Sequence, residues 1–358
     1  MTFEDYETEF KKWFLLEDDL FLRIVTATVS ANRFIDGKPL WLITIGIAGS
    51  GKTAVITAMH DCKFAITVDT LNPKAFLSFD TTSNSLLPRL NQRIMIVPDM
   101  SSITGLQNDE KKNVFGFLRA AYDGEFVRFS GKGDLTWKGK FGFIGCATNE
   151  IEREREMMSS LGERFIYLRP VLSEMNRLMD AVLKNSANES AMQNAIRGLT
   201  NKYWDEFSPN PDRTIRGSSI DMLKDCALIV CRARSGVLRD HYTKQVEAPI
   251  ELTEAPTRFL KQLVMLTLGL KSLGTTDDDC DRCVLRVSRD CIPYTRMKAL
   301  KAIHEGHGRT QNDIGKQLRI SQAQVSRTLE ELQGLNLVSY DGQYELSAPS
   351  VVRVIEAK

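Results

Sequence analysis

The stretch from Gly46 to Thr53 constrains this chain more than any other, because it reads Gly-Ile-Ala-Gly-Ser-Gly-Lys-Thr and matches the phosphate-binding pattern G-x-x-x-x-G-K-[ST]. Gly46 and Gly51 permit backbone angles that bend the chain around a phosphate. The loop amides then point inward at the start of a helix and form a nest for an anion. An apolar run precedes the loop and a stretch free of glycine and proline follows it, so the pattern predicts strand, loop and helix in that order.

The residue types in this loop predict that ATP binds with Mg²⁺. Lys52 is expected to reach the β- and γ-phosphates, and the hydroxyl of Thr53 is expected to ligate Mg²⁺. A second apolar run over residues 94–97 leads to Asp99, whose carboxylate at that strand end can hold Mg²⁺ or its water. The residues expected to contact the nucleotide are Gly46, Ala48, Gly49, Ser50, Gly51, Lys52 and Thr53.

Length, composition and charge limit the classes of protein to which this chain can belong. The chain has 358 residues, of which 42% are hydrophobic, so two or three domains with buried cores are expected. The net charge of +1 excludes a bulk basic signature, and nucleic-acid binding must be argued locally. No signal peptide or membrane span is visible, and the seven cysteines indicate reduced thiols and a cytoplasmic location. The lone pair Cys280 and Cys283 lacks a nearby histidine, which favours surface thiols on a helix over a zinc site.

Strand and helix patterns alternate up to about residue 170 and predict a parallel sheet with helices on both faces. The predicted strands are 41–45, 64–68, 94–97, 141–147 and 165–168. Residues 1–40 are expected to be helical, and one face of that segment carries Leu20, Ile24, Ala27 and Ala31. Helices are expected from 171 to about 275, with a polar break at 208–212 and a solvated loop at 274–279.

Two further polar positions follow from this alternation. Asn149 comes after the strand 141–147, and its side chain would emerge between the first two strand ends, near a γ-phosphate or an attacking water; a helix cap is the alternative. Arg164 precedes the fifth strand and lies at the expected sheet edge. It could reach the γ-phosphate of a neighbouring subunit as an arginine finger acting in trans, and a surface salt bridge is the alternative.

In this order the pieces resemble an AAA+ ATPase over roughly residues 20 to 275. The resemblance makes residues 46–53 the Walker A motif, Asp99 the Walker B carboxylate, Asn149 sensor 1 and Arg164 the finger. Residues 255–263 resemble the lid helix that carries sensor 2, with Arg258 in that role; Pro256 and Thr257 fit the start of that helix, and an ordinary helix-start arginine is the alternative. The catalytic set implied is therefore Lys52, Asp99, Asn149, Arg164 and Arg258, with ATP and Mg²⁺ held between the subunits of an oligomer, expected to be a hexamer.

Residues 124–140 alternate apolar and polar side chains on each side of Gly131-Lys132-Gly133, which predicts a β-hairpin. A hairpin at this point is similar to the pre-sensor-1 hairpin of the MCM-like helicases, which lines a central pore and touches DNA. The resemblance implies single-strand contacts from Lys132 at the tip and from Arg128, Lys138 and Lys140 on its flanks. A solvated hairpin without a ligand is the alternative.

The last 65 or so residues follow the order helix, helix, helix, hairpin and resemble a winged helix-turn-helix. The predicted helices are 296–303, 310–318 and 321–332, followed by a hairpin at 337–346. The third helix would lie in the major groove of duplex DNA. Side chains on it that suit phosphate and base-edge contacts are Ser321, Gln322, Gln324, Ser326 and Arg327. Winged helices also mediate protein contacts, so a protein partner stays open.

The expected fold class is α/β: an AAA+ core with a P-loop and a parallel sheet over 1–170, a helical lid over 171–291 and a winged helix over 292–358. The expected function is an oligomeric ATP-dependent motor acting on DNA, an MCM-like replicative helicase or a replication initiator of a virus or mobile element, with replication proteins as further partners. The alternative is an ATP-switched DNA-binding regulator or helicase loader, which the missing Walker B glutamate favours, whereas the basic hairpin favours translocation; a protein remodeller is a third interpretation. The chain departs from the family at two points. Walker B offers one carboxylate, Asp99, where the family has Asp-Glu, and residues 1–40 are too few for the large N-terminal domain of the MCM helicases.

Overall fold

The computed structural model describes residues 1–70, 76, 85–130, 133–155, 158, 162–172, 175–185, 188–237, 239–240, 242, 246, 254–306 and 310–357. Its strands are β1 (Trp41–Ile45), β2 (Ala65–Thr67), β3 (Ile94–Val97), β4 (Glu125–Ser130), β5 (Gly133–Lys138), β6 (Gly142–Ala147), β7 (Phe165–Leu168), β8 (Val338–Tyr340) and β9 (Tyr344–Leu346). Its helices are α1 (Phe3–Trp13), α2 (Phe21–Phe34), α3 (Lys52–Thr57), α4 (Leu86–Leu90), α5 (Ser101–Thr104), α6 (Asn108–Asp123), α7 (Met175–Asn185), α8 (Glu189–Glu206), α9 (Gly217–Arg234), α10 (Thr257–Ser272), α11 (Asp277–Cys291), α12 (Tyr294–His304), α13 (Gln311–Leu318), α14 (Gln322–Gly334) and α15 (Pro349–Ile355).

The chain divides into two compact units. The first contains Met1–Ile151, Arg164–Ile215 and Met265–Cys280. The second contains Glu152–Glu163, Arg216–Val264 and Asp281–Lys358. The division into a core, a lid and a C-terminal module at residues 170 and 291 stays a prediction.

The first unit is built on a five-stranded parallel sheet in the order β2-β3-β6-β1-β7. Every residue of β1, β3, β6 and β7 is buried, because helices cover both faces of the sheet and the strands are therefore continuous apolar runs. All five predicted strands are confirmed, each to within two residues at either end. The mixed α/β class is confirmed with them.

Trp41 joins the first strand to its neighbours. Its ring lies between 5.1 and 5.7 Å, centroid to centroid, from those of Tyr122, Phe141, Phe143 and Phe165. Its Nε1–H donates to the carbonyl of Phe141 at 2.9 Å, so the one polar atom of this fully buried ring is satisfied. The cluster holds β1, β6, β7 and α6 together at the end of the sheet opposite the phosphate loop.

The helices before the sheet pack into the same core. Leu20, Ile24, Ala27 and Ala31 are all buried, which confirms the predicted apolar face. Gly269 on α10 lets that helix approach α2 closely, since a Cβ at this position would lie 2.3 Å from the carbonyl oxygen of Ala27. Any side chain at this position would therefore force α10 and α2 apart.

In the second unit, α12, α13 and α14 are followed by the antiparallel pair β8–β9, so the predicted order of three helices and a hairpin is present. One more helix, α15, follows the hairpin and was not expected from the sequence. Its buried side chains are Val351, Val354 and Ile355.

The helix α11, also in the second unit from Asp281 onward, contains a buried ion pair between Arg286 and Asp290 at 3.0 Å.

Two expectations were wrong around α11. Asp277, Asp278 and Asp279 form the first turn of this helix rather than a loop, because carboxylates are favoured at a helix N-terminus and Thr276 accepts a hydrogen bond from the Asp279 amide. The thiols of Cys280 and Cys283 are buried rather than on the surface. Across the described residues, no helix has both the length and the apolar character that crossing a bilayer requires.

Replacing Gly269 by alanine tests the contact between α10 and α2. The added methyl group meets the Ala27 carbonyl, so we expect the free energy of unfolding to fall by about 1–3 kcal/mol. Gly198→Ala on α8 is the matched control: no atom lies within 4 Å of its Cβ, and alanine should stabilise the helix by about 0.5–1 kcal/mol. Urea titrations followed by circular dichroism measure both, and equal effects of the two substitutions would contradict the close approach.

Candidate functional site

Three strand ends bring the predicted nucleotide-binding residues to one edge of the sheet. β1 pairs with β6 up to Ile45 and Ala147, and β6 pairs with β3 up to Gly145 and Val97. Because the strands are parallel, the segments that follow them leave the sheet on the same side. The loop 46–53, Asn149 and Asp99 therefore lie at one edge, with the strand leading to Asn149 between the other two.

The loop has a left-handed backbone at Gly51, as predicted, and at Gly49, which was not singled out from the sequence, whereas Gly46 lies outside that region. Gly49 and Gly51 have φ angles of 77° and 76°, in the left-handed region that other residues rarely adopt. The amide of Gly46 donates to the carbonyl of Ala147 at 3.1 Å and extends the β1–β6 ladder into the loop. The helix α3 begins at Lys52, immediately after Gly51.

Lys52 is turned into the loop. Its side chain is 5% exposed, and Nζ donates to the carbonyl of Ile47 at 2.9 Å across the loop. Burial lowers the pKa of Lys52, while Cys146 and the carboxylate of Asp99 act in the opposite direction. The buried Oγ of Ser50 has no hydrogen-bond partner among the described residues. A phosphate would offer oxygen acceptors to both side chains, so the loop fits this group.

The two predicted Mg²⁺ ligands are exposed to solvent. Oδ1 of Asp99 accepts a hydrogen bond from the amide of Ser101 at 2.8 Å, which orients the carboxylate at the end of β3. Thr53 is the second residue of α3, and Asn149 begins a short 3-10 helix after β6. In the described part of the chain, no group of three or more His, Cys, Asp or Glu side chains is arranged so that it could hold a metal ion. Mg²⁺ in nucleotide sites needs only one or two protein oxygens with phosphates and water, so Thr53 and Asp99 suit it.

Two residues of this site were missed by sequence reasoning. A Cβ built on Gly51 would lie 2.6 Å from Cζ of Phe14, so the ring at the end of α1 rests against the loop. Cys146 lies under the loop on β6, with Sγ 3.1 Å from Oγ1 of Thr44, and burial raises its pKa to about 11. Neither residue belongs to a local motif, because each reaches the loop only through the packing of another element.

Arg164 lies at the start of the edge strand β7, as expected, but it is buried. It is 8% exposed, and Nη2 donates to Oδ2 of Asp123 at 3.1 Å. Its guanidinium also lies 5.8 Å from the ring centroid of Tyr122. This carboxylate partner lies at the end of α6, and a role in trans requires that this bond be exchanged.

Arg258 lies in the first turn of α10, in agreement with the helix start predicted from Pro256 and Thr257. Its Nη1 pairs with Oε1 of Glu254 at 3.4 Å, and the same carboxylate group holds Arg234 at 2.6 Å. Arg258 belongs to the second unit, whereas the phosphate loop belongs to the first. Its proposed contact with the nucleotide stays a prediction.

The predicted hairpin is confirmed as the antiparallel pair β4–β5, which lies between α6 and β6 along the chain. Lys138 is 81% exposed, and its Nζ pairs with Glu125 across the hairpin at 2.9 Å. Lys140 does not flank the hairpin as a free cation, because its Nζ donates to the carbonyl of Ile35 at 2.9 Å. Arg128 is opposite Leu135 in the ladder, and its side chain, like Lys132 as a whole, lies outside the described residues.

The predicted contact residues of the third C-terminal helix are on one exposed stretch at the start of α14. Ser321 caps the helix, with Oγ accepting from the amide of Gln324 at 3.3 Å. Gln322, Gln324 and Arg327 are exposed, while Ser326 is half-buried. The side-chain amide of Gln322 donates to Gln311 at 3.4 Å, which links α14 to α13.

Comparison with known proteins adds no family to this geometry. No protein-family model matches the chain, and a search of curated proteins found no match.

Substitutions in the loop test the contact with Phe14. Gly49→Ala and Gly51→Ala both impose a left-handed backbone on alanine, at a cost of about 1–2 kcal/mol each. Only Gly51→Ala also pushes a methyl group into the ring of Phe14, so we expect it to lower the thermal unfolding midpoint further. Phe14→Ala should recover part of that loss in the Gly51→Ala chain and none in the Gly49→Ala chain. Equal responses of the two glycine variants to Phe14→Ala would refute the contact.

Proposed function

We propose that this chain is an ATPase that binds ATP with Mg²⁺ in the loop 46–53. The observation that carries the proposal is the meeting of this loop, with Lys52 turned into it, and the carboxylate of Asp99 at one sheet edge. On binding, the Lys52 ammonium exchanges the neutral carbonyl of Ile47 for a phosphate oxygen. A hydrogen bond between two charged groups is stronger than one to a neutral acceptor, so the exchange favours the bound nucleotide.

The proposal extends to an AAA+ motor that acts on DNA, an MCM-like replicative helicase or a replication initiator of a virus or mobile element. It is supported by the strand order, with β6 between β1 and β3, and by a hairpin between α6 and β6 where the MCM-like group has one. The setting in replication rests on analogy of fold and motif order. A cytoplasmic location accompanies the proposal and rests on the cysteines, which are all unpaired and buried.

DNA is proposed to meet two parts of the chain. Single strands would pass the β4–β5 hairpin, where Arg128, Lys132 and Lys138 are the proposed contacts. Duplex would meet the C-terminal module as a winged helix, through Ser321, Gln322, Gln324 and Arg327 at the start of α14. The exposure of Gln322, Gln324 and Arg327 supports the second contact. The pairing of Lys138 with Glu125 means that its phosphate contact would have to displace a carboxylate.

Assembly into an oligomer, a hexamer in the family, is supported by an apolar stripe on α7. Met175, Met179, Val182 and Leu183 follow helical spacing and are each at least half exposed. Exposed apolar stripes of this kind mark protein–protein contacts more often than isolated exposed residues do. A partner subunit would also bring its arginine finger to the nucleotide.

A second candidate function is an ATP-switched DNA-binding regulator or helicase loader. The observation that favours it is the single carboxylate after β3, since Asp99 must serve Mg²⁺ and leaves no second acid there to activate water. ATPase turnover with and without single-stranded DNA, measured beside unwinding of a forked duplex, separates the two functions. A motor shows DNA-stimulated turnover and unwinding, whereas a switch binds ATP and DNA tightly with slow turnover and leaves the fork intact.

Lys52→Ala tests the ATPase proposal. Removing a preorganised cation at the β- and γ-phosphates should lower turnover by at least about two orders of magnitude. The circular dichroism spectrum should be unchanged, because the loop shape is set by its glycines and its hydrogen bond to β6. Lys63→Ala is the control, since that side chain is 90% exposed and should turn over ATP like the parent. Normal turnover in the Lys52→Ala chain would remove the assignment of the phosphate loop.

Mixing variants tests the role of Arg164 in trans. An Arg164→Ala chain should bind ATP yet be inactive alone, and Lys52→Ala chains added to it should restore part of the turnover. Restoration is expected because some interfaces then pair an intact loop with an intact finger.

Asp123→Asn separates this role from a structural one. It removes the charge that Arg164 faces within its own chain and should leave turnover nearly unchanged if the arginine works across an interface. If Asp123→Asn is as inactive as Arg164→Ala and mixing restores nothing, Arg164 acts through its own ion pair.

A further inference from the structure

The second unit contains a cavity of about 720 Å³ that the proposed ATPase site does not use. Its walls come from the end of α9 and the residues just after it, from the start of α12, from α14, and from Glu152, Arg155 and Glu163. All of these belong to the second unit. The volume lies within the range of small-ligand sites, about 300–1,000 Å³.

Charged side chains dominate this cavity. The arginines that line it are Arg155, Arg234, Arg239, Arg296 and Arg327, and the lining glutamates are Glu152, Glu163 and Glu331. Two carboxylates outside the lining also pair with these arginines, since Glu254 binds Arg234 at 2.6 Å and Glu330 binds Arg239 at 2.8 Å. The cluster as a whole is therefore balanced, but the surface that faces the cavity is richer in guanidinium than in carboxylate.

Two of these arginines converge on a single carboxylate. Glu331 on α14 accepts from Arg296 at 3.0 Å and from Arg239 at 3.3 Å. Arg296 is held further by the carbonyls of Ala233 and Ser235, each at 2.8 Å. These bonds fix the guanidinium planes before any ligand arrives, so little side-chain entropy is lost on binding. Two planar cations around one anion is the arrangement that a phosphate group also accepts.

Arg327 differs from the others. Its carbonyl accepts from Arg239 at 3.1 Å, but its own side chain is exposed and has no ion pair or hydrogen bond within the described residues. It lines the same cavity as Gln324, one helical turn earlier on α14. The wall thus combines a cation without a partner, a neutral amide and two guanidiniums that share an acid.

We propose that this cavity binds a phosphate group through Arg327, Arg239 and Arg296, and that the carboxylate of Glu331 is the internal anion that the phosphate displaces. The phosphate belongs either to a nucleic-acid backbone or to a free nucleoside triphosphate. The first source rests on the proposed function, because α14 is the proposed duplex-binding helix. The second does not, because it needs only the cavity.

The test compares two probes on full-length chains that carry Lys52→Ala, so that the loop 46–53 does not contribute a nucleotide signal. The probes are a short fluorescein-labelled duplex and Mg-ATP, titrated by anisotropy and by calorimetry at two salt concentrations. Arg239→Gln should weaken binding about tenfold, the loss of one charge-assisted contact, and should reduce the salt slope for duplex by about one. Glu331→Gln should tighten binding severalfold, because it removes the competing charge and keeps the side-chain shape.

Arg232→Gln is the matched control. Arg232 is exposed on the last turns of α9 and does not line the cavity. The Arg232→Gln chain should therefore bind either probe with the affinity of the parent chain. If Arg239→Gln and Glu331→Gln change the affinity for duplex in opposite directions and leave the affinity for Mg-ATP unchanged, the cavity is a site for the nucleic-acid backbone. If they change only the affinity for Mg-ATP in this way, it is a site for a free nucleotide. The inference is overturned if the parent binds neither probe, if both variants weaken binding, or if both leave it unchanged.

The proposed function and this inference fail separately. If the wild-type chain hydrolyses no ATP while the two substitutions still change probe affinity in opposite directions, only the ATPase proposal is overturned. If the chain is a DNA-stimulated ATPase and both substitutions leave its affinities for duplex and for Mg-ATP unchanged, only the proposed phosphate site in the cavity is overturned.

Discussion

β1 and β6 pair in parallel from Trp41 and Phe143 to Ile45 and Ala147, and the amide of Gly46 adds one more bond to the Ala147 carbonyl. This register places the start of the phosphate loop directly beside the residues that follow β6. Because β6 also pairs with β3, the carboxylate after β3 is held to the same edge. One ladder sets the relative positions of a lysine, a carboxylate and an amide side chain that are nearly a hundred residues apart in the chain.

Many of the cations proposed to act on phosphate already have partners within the chain. Lys138, which is exposed, pairs with Glu125; Lys52 and Arg164 are buried, and they bind the Ile47 carbonyl and Asp123. A buried cation without a partner would cost several kcal/mol, so a protein that keeps such groups ready for a ligand must satisfy them before it arrives. When a phosphate binds such a buried cation, it then replaces a carboxylate or a carbonyl that already contacts the cation. The same exchange, with Glu331 as the resident anion, underlies the proposed cavity.

The five strands, the hairpin and the three C-terminal helices could be predicted because each leaves a local signal: an apolar run, an alternation about a glycine turn or a capping residue. The phosphate loop could be predicted because its function depends on a contiguous set of residue types. The first turn of α11 and the helix α15 were not predicted. An acidic run is typical both of a loop and of a helix start, and the short helix α15 is stabilised by the burial of three apolar side chains rather than by its own length.

The sequence by itself determined the order of the elements, the bend that Gly51 permits in the loop, and the residue types available to phosphate and Mg²⁺. Only the tertiary structure decided which of those residues are buried, and against what. Phe14 against Gly51, Asp123 against Arg164 and Glu331 between two arginines are contacts over long or intermediate separations. Such contacts leave no periodic or spacing signal, because they depend on how elements pack in space rather than on which residues are adjacent in the chain.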